Sequence, residues 1–242
     1  MQEMARRNEM ESHVYRMGNL RVVDLTKFVD PATETRRCKL HRFNTGGPIP
    51  DFHTNMDLMS HLGTHCECPY HHRDEWPDVS SLPVTQFLGR GVYVKFTGIS
   101  PRSYVTRRIL DEQALEKIQP GDVLILDSPY QIDPFTPKTN TVEDQRMRVS
   151  EETAQWMVDH GIKAVGFGQG VSVESSNEDV KPFHDICLAR NILFIEVLKN
   201  LDELSSDTFF ISFAPMLIKG LDSCPVRVYA IEGLPGFVKE TF

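Results

Sequence analysis

From residue 91 onward, short apolar runs alternate with stretches of helical periodicity. That alternation limits the chain to a sheet whose strands are joined by crossover helices. Residues 91–96 (Gly-Val-Tyr-Val-Lys-Phe) alternate with period two and read as a strand. Residues 109–118 are helical in pattern, and the turn signal Pro120-Gly121 leads into an apolar strand over 122–126. Ser150-Glu-Glu-Thr opens the next helix, with Ser150 as N-cap and acidic residues in the first turn. That helix should run to His160, where Gly161 stops it. A strand over 163–167, a helix over 179–191 and a strand over 192–197 continue the series. Residues 20–25, 209–213 and 226–231 add strands outside it. The expected fold class is α/β, with a mixed β-sheet core and crossover helices.

At 242 residues, with no internal repeat and no convincing linker, a single domain over 19–242 is expected. Residues 1–18 are polar and carry Arg6, Arg7, Glu9 and Glu11 without an apolar core, so they are not a secretory signal. They read as an N-terminal arm, either disordered or packed on another subunit. Residues 128–149 lack periodicity and contain Pro129, Pro134 and Pro137, which fits an extended loop serving as a lid or an intersubunit arm. The net charge of −8 argues against nucleic acid as a partner. No apolar run approaches the roughly 20 residues of a membrane span, so no membrane partner is expected. Five cysteines, an odd and sparse set, do not form a disulfide framework, and a cytoplasmic location follows as the expectation.

The chemistry concentrates in residues 60–72, Ser-His-Leu-Gly-Thr-His-Cys-Glu-Cys-Pro-Tyr-His-His, which hold four of the nine histidines. An isolated histidine is usually a surface or satisfied core residue. Four grouped around a carboxylate are not explained that way. His61, His65, Glu67 and His71 would share one face of an extended chain. Full extension would nevertheless put His61 and His65 about 13 Å apart, too far for two ligands each about 2 Å from one ion. The chain must therefore turn between them, and Gly63 is the residue best able to allow it. A helix would also unite positions i and i+4, but Gly63 and Pro69 oppose a continuous helix. Cys66 and Cys68 have C-x-C spacing rather than the usual zinc spacing and should face away from the histidines, as packing residues.

The segment resembles the signature H-x-G-T-H-x-D-x-P-x-H of the metal-dependent cyclase family, which includes bacterial kynurenine formamidases and isatin hydrolases. His61, Gly63, Thr64, His65, Glu67, Pro69 and His71 stand at the matching positions, with Glu67 where the family usually has Asp. Further matches follow in order: Asp24-Leu-Thr26, Gly161-Ile-Lys-Ala-Val-Gly166, His184, Glu196, Asn200-Leu-Asp-Glu-Leu204, Phe213-Ala-Pro215 and Ser223-Cys-Pro-Val-Arg227. They cover nearly all of the chain from Gly18 onward.

The resemblance implies a cyclase-type swivelling β/α domain. It implies that His61, His65 and Glu67 bind a divalent metal, Zn²⁺ or Mn²⁺, and that His184 and Glu196 complete a second position with Glu67 as a bridge. Taken alone, His184 would be a plain helix histidine. His71 is implied as general acid and base, with His72 a structural neighbour. The implied activity is hydrolysis of a C–N amide bond, in a formamide or a cyclic amide, by metal-activated water. The implied substrate is a small molecule and the implied assembly a homodimer or homotetramer. The Asp-to-Glu change displaces the carboxylate by about 1.5 Å, one C–C bond. Either the backbone compensates or the metal content departs from the family pattern. Residues 166–174, Gly-Phe-Gly-Gln-Gly-Val-Ser-Val-Glu, depart from the usual "GiDtpSvD" and keep only Ser172 and Glu174 of its end. These departures suggest a substrate other than N-formylkynurenine.

Other readings of these residues are weaker. Gly166-x-Gly168-x-Gly170 lacks the spacing and lysine of a phosphate loop. Gly170-Val-Ser-Val-Glu174 lacks the closing glycine of a nucleophile elbow. The functional alternatives are a non-catalytic metal or small-molecule binding protein on the same fold, or a lactone hydrolase or cyclase.

Overall fold

The computed structural model describes residues 13–174 and 178–237. In chain order the described elements are β1 (Val14–Met17), β2 (Leu20–Asp24), β3 (Cys38–Asn44), β4 (Phe52–Leu58), β5 (His65–Glu67), β6 (Leu88–Lys95), α1 (Arg107–Gln113), β7 (Val123–Asp127), β8 (Met147–Arg148), α2 (Glu151–Asp159), β9 (Ala164–Phe167), β10 (Val171–Ser172), α3 (Val180–Leu188), β11 (Leu193–Glu196), β12 (Thr208–Ser212), β13 (Ser223–Pro225) and β14 (Tyr229–Glu232). Ten strands form one sheet in the order β1-β2-β14-β12-β6-β7-β9-β11-β5-β13. Its centre, β6-β7-β9-β11, is parallel, and both flanks are antiparallel, so the sheet is mixed as expected. None of the described helices is long and apolar enough to cross a membrane.

The central strands are buried on both faces, which is why they read as continuous apolar runs. Alternate residues go to two cores. Val92, Val94, Leu124, Leu126, Val165, Phe167 and Phe194 pack with the helices, through Leu110, Trp156, Phe183 and their neighbours. Tyr93, Val123, Ile125, Ala164, Leu193 and Ile195 form the other core. Val23 of β2 and Cys66 of β5, from opposite ends of the strand order, belong to that second core. The sheet therefore curls around it.

The helices follow their sequence signals, with one shift. Before α2 the Ser150 N–H donates to Thr153 Oγ1 at 3.0 Å, and Gly161 beyond its end takes φ +66°. α3 buries Val180, Phe183, His184, Cys187 and Leu188, an i, i+3, i+4, i+7, i+8 stripe. The helix expected over 109–118 is α1, which starts and ends earlier. Thr106 caps it, and by Lys117 the backbone bonds have tightened to i−3, with Lys117 N–H donating to Ala114 O.

Two features were not expected. β3 and β4 form a hairpin paired in register from Cys38 with Leu58 to Asn44 with Phe52. Val14–Met17, within the segment read as an arm, pairs with β2 at the sheet edge, while residues 1–12 lie outside the described residues. The 128–149 stretch is largely irregular, and Arg146 anchors it. The Arg146 guanidinium is buried, donating to both carboxylate oxygens of Asp144 at 2.9 and 2.7 Å and to Glu174 Oε1 at 2.8 Å.

Candidate metal centre

The candidate ligands meet because of strand period and register. In β5, Cys66 points into the second core, so His65 and Glu67 face the helix side of the sheet. In β11, Phe194 packs on the helix side, so Glu196 faces that side too. β11 and β5 pair antiparallel with Glu196 opposite His65 and Phe194 opposite Glu67. The buried stripe of α3 then delivers His184 onto the same face.

His61 arrives by the turn at Gly63, which has φ +59°. A Cβ there would also lie 2.6 Å from Val29 Cγ2. The turn is clamped by buried Thr64. Its hydroxyl donates to Val197 O at 2.7 Å and accepts from Lys27 N–H at 2.7 Å, tying the His61–His65 bend to the residue after Glu196. Val197 itself sits at φ +61°, a strained conformation for a β-branched residue, directly beside Glu196.

Glu67 is the hub. Its Oε1 lies 3.1 Å from His61 Nε2 and 3.4 Å from His65 Nε2, and its Oε2 lies 3.6 Å from His184 Nε2. Glu196 stands 3.5 Å from His65 Nε2 and 3.9 Å from His184 Nε2. Among the described residues three groups have donor atoms within 4.8 Å of one another: the triads His61–His65–Glu67 and Glu67–His184–Glu196, which share Glu67, and a third, His61–His71–Asp222. The imidazoles are pre-set. His65 Nδ1 lies 2.9 Å from Gly63 O, and His184 Nδ1 lies 2.8 Å from Val180 O. A carbonyl only accepts, so each Nδ1 carries the proton and each Nε2 keeps its lone pair.

Three buried atoms here, His61 Nε2, His65 Nε2 and Glu67 Oε2, have no hydrogen-bond partner among the described residues. Buried donors and acceptors are normally satisfied, and lone pairs converging in this way suit a divalent cation. Burial raises Glu67, but the His184, His61 and His65 imidazoles gathered around it outweigh that and hold it well below the usual carboxylate range. Burial pushes Glu196 well above that range, and the charges of Glu67 and Glu174 push it further.

His71 lies outside the two triads that share Glu67 and forms the third group with His61 and Asp222. Its Nε2 is 3.9 Å from Glu67 Oε2 and its Nδ1 3.4 Å from Asp222 Oδ2. Burial disfavours its cation, but Asp222 and Glu67 outweigh that and raise its pKa. His72 bonds Asp185 at 2.8 Å, stacks on His184 at 5.2 Å between centroids and lines the same cavity. The centre opens into a cavity of about 460 Å³ whose further walls are Arg36, Phe135, Val173, Glu174, Val180 and Lys181.

Sequence reasoning did not find Asp222 or Arg36. Asp222 directly precedes the Ser223-Cys-Pro-Val-Arg227 stretch, and a carboxylate next to that strand was the available signal. Arg36 carried none. The glycine run has a packing role: a Cβ at Gly168 would lie 2.5 Å from Asp127 Cγ, and one at Gly170 would lie 2.3 Å from Ser128 O.

Fold and site together define a mixed α/β protein with a cluster of histidines and glutamates, a candidate cation centre, on the helix side of its sheet. A family model described as "Putative cyclase" matches residues 21–171, more than half of the chain, and the protein belongs to that cyclase family. It is 22% identical to a kynurenine formamidase from Bordetella petrii over 189 residues, covering 76% of this chain and 83% of that protein. Among solved structures it resembles isatin hydrolase A from Ralstonia solanacearum, with TM-score 0.68, 22% identity, and 95% of this chain and 96% of that one covered. Isatin hydrolase A from Labrenzia aggregata, bound to benzyl benzoate, aligns with TM-score 0.69 and 20% identity, covering 88% and 94% of the two chains.

Proposed function

We propose that this protein is a metal-dependent hydrolase of non-peptide C–N amide bonds in small molecules, formamides or cyclic amides. The observation that carries the reading is Glu67, shared by two donor triads, with His61 Nε2, His65 Nε2 and Glu67 Oε2 buried and without a hydrogen-bond partner among the described residues. The kynurenine formamidase and isatin hydrolase relatives support the amide class. His61, His65 and Glu67 would hold one ion, and Glu67, His184 and Glu196 a second. Imidazole and carboxylate donors suit either Zn²⁺ or Mn²⁺. A divalent ion bound there supplies carbonyl polarisation and acidifies water.

The chain's own groups do the rest. Gly63 O and Val180 O orient His65 and His184, so the donors are in place before substrate arrives. His71 stands beside the centre with Asp222 behind it, fixing the ring. From there its Nε2 takes a proton from the attacking water and returns one to the departing nitrogen. Val173, Val180 and Phe135 supply the apolar walls that limit competing water. A cytoplasmic enzyme is consistent with five free cysteines, four of them buried. The exposed Leu40, Phe43, Phe52 and Met56 of the β3–β4 hairpin favour a homodimer or homotetramer. The test is turnover of formanilides and cyclic amides by metal-stripped and reconstituted protein.

A further inference from the structure

We propose, building on the hydrolase reading above, that Arg36 receives a carboxylate of the substrate, so that this site takes anionic amides. Arg36 stands in the wall shared by two cavities, the one over the metal centre and an adjoining one of about 400 Å³ that Lys27, Phe28, Glu34, Pro134 and Pro137 also line. Its guanidinium is fixed from two sides. Nη1 donates to the backbone carbonyl of His61, and the guanidinium carbon lies 3.6 Å from the centroid of the Phe135 ring.

What sets Arg36 apart is the absence of a carboxylate partner among the described residues. Lys27, in the adjoining cavity, faces Glu34 at 3.5 Å. Arg146, behind the metal centre, is saturated by Asp144 and Glu174. A cation placed only to neutralise the acidic wall would pair as Arg146 does. Arg36 instead is half-buried, with its charge disfavoured by burial, while Glu196, Glu34, Glu67 and Glu174 act on it only from beyond contact range. A guanidinium carries five N–H donors, and the His61 carbonyl accounts for one. The remaining planar fork matches a carboxylate, and stacking on Phe135 fixes its plane.

The charge of the cavity points the same way. Glu67, Glu174 and Glu196 line it, and a substrate anion would be repelled unless a cation met it. Arg36 meets it, with Lys181 as a second positive charge on the same cavity. The bond to His61 keeps the guanidinium beside the candidate ion position, which suits a carboxylate only a few bonds from the scissile amide.

The experiment uses two matched pairs of probes on metal-loaded full-length protein. N-formylanthranilate and formanilide differ by one carboxylate, as do the ligands anthranilate and anthranilamide. The expected result is that wild type favours N-formylanthranilate in kcat/KM, and that Arg36→Leu cuts that preference by about 10–100-fold through KM. In calorimetry, anthranilate should bind more tightly than anthranilamide, and Arg36→Leu should remove the difference. Arg36→Lys keeps charge but not the fork, should retain part of both effects, and serves if the leucine variant does not fold. A preference that survives Arg36→Leu overturns the proposal, because the carboxylate then sits on the ion or on Lys181. Equal binding of the two ligands by wild type also overturns it. Arg36-dependent anthranilate binding without turnover of either formyl probe would uphold the anion site and count against the hydrolase reading alone.

Discussion

Replacing Glu67 with glutamine keeps the side chain's volume and removes its charge. Its two oxygens face different partners: Oε1 is 3.1 Å from His61 Nε2 and 3.4 Å from His65 Nε2, and Oε2 is 3.6 Å from His184 Nε2. Glu67 is common to the two triads proposed to hold metal, whereas His184 belongs to only one of them. Loss of a group that merely orients a ligand costs about 10–100-fold in metal affinity. Loss of the shared anionic donor should cost at least the upper end of that range at each position, about 2.7 kcal/mol. Metal content after dialysis against a weak chelator, read by elemental analysis, should fall at both positions in Glu67→Gln and at one position in His184→Gln. Circular dichroism separates metal loss from unfolding. A folded Glu67→Gln protein that retains the wild-type metal content would refute the shared-ligand geometry.

His71→Ala should keep its metal, since His71 is in neither triad around Glu67, and should lose about 10²–10⁴-fold in kcat. Elemental analysis and steady-state kinetics on one preparation check both halves. Gly63→Ala should lower metal affinity and destabilise the fold by about 1–2 kcal/mol from the positive φ alone, with the Val29 contact adding to it; thermal melts and metal titration read the two effects. Asp144→Asn leaves the buried Arg146 guanidinium half-paired and should cost about 3 kcal/mol in urea unfolding. The Asp144 carboxyl also has a pH signature. Burial raises its pKa, but bonds from Arg146 and the Asn140 backbone outweigh that and hold it at about 2, below the usual 3.8. Its stabilisation is therefore complete above pH of about 4 and disappears as pH falls through about 2, an acid limb that the asparagine variant should lack.

The central strands were legible because burial on both faces leaves no choice of residue, as in Val123-Leu-Ile-Leu126, and α3 was legible from its apolar stripe. The β3–β4 hairpin was not, because most of its residues are exposed and neither face imposes an apolar alternation. The bend at Gly63 could be deduced from the distance two ligands of one ion can tolerate. That Glu196 would stand opposite His65 could not, because the pairing of β11 with β5 joins residues about 130 positions apart and is fixed by the whole sheet. Asp222 was marked only by its place before the Ser223–Arg227 stretch and Arg36 by nothing in its own segment, and tertiary packing carries them to His71 and to the cavity.

The most direct test of the proposed activity is to strip the protein of metal, confirm the depletion by elemental analysis, and follow hydrolysis of formanilides and cyclic amides while Zn²⁺ or Mn²⁺ is added back. Turnover should be absent in the stripped protein and return in proportion to bound metal. Full turnover by the stripped protein, or tight metal binding with no turnover on any amide, would contradict a metal-dependent amide hydrolase built around Glu67.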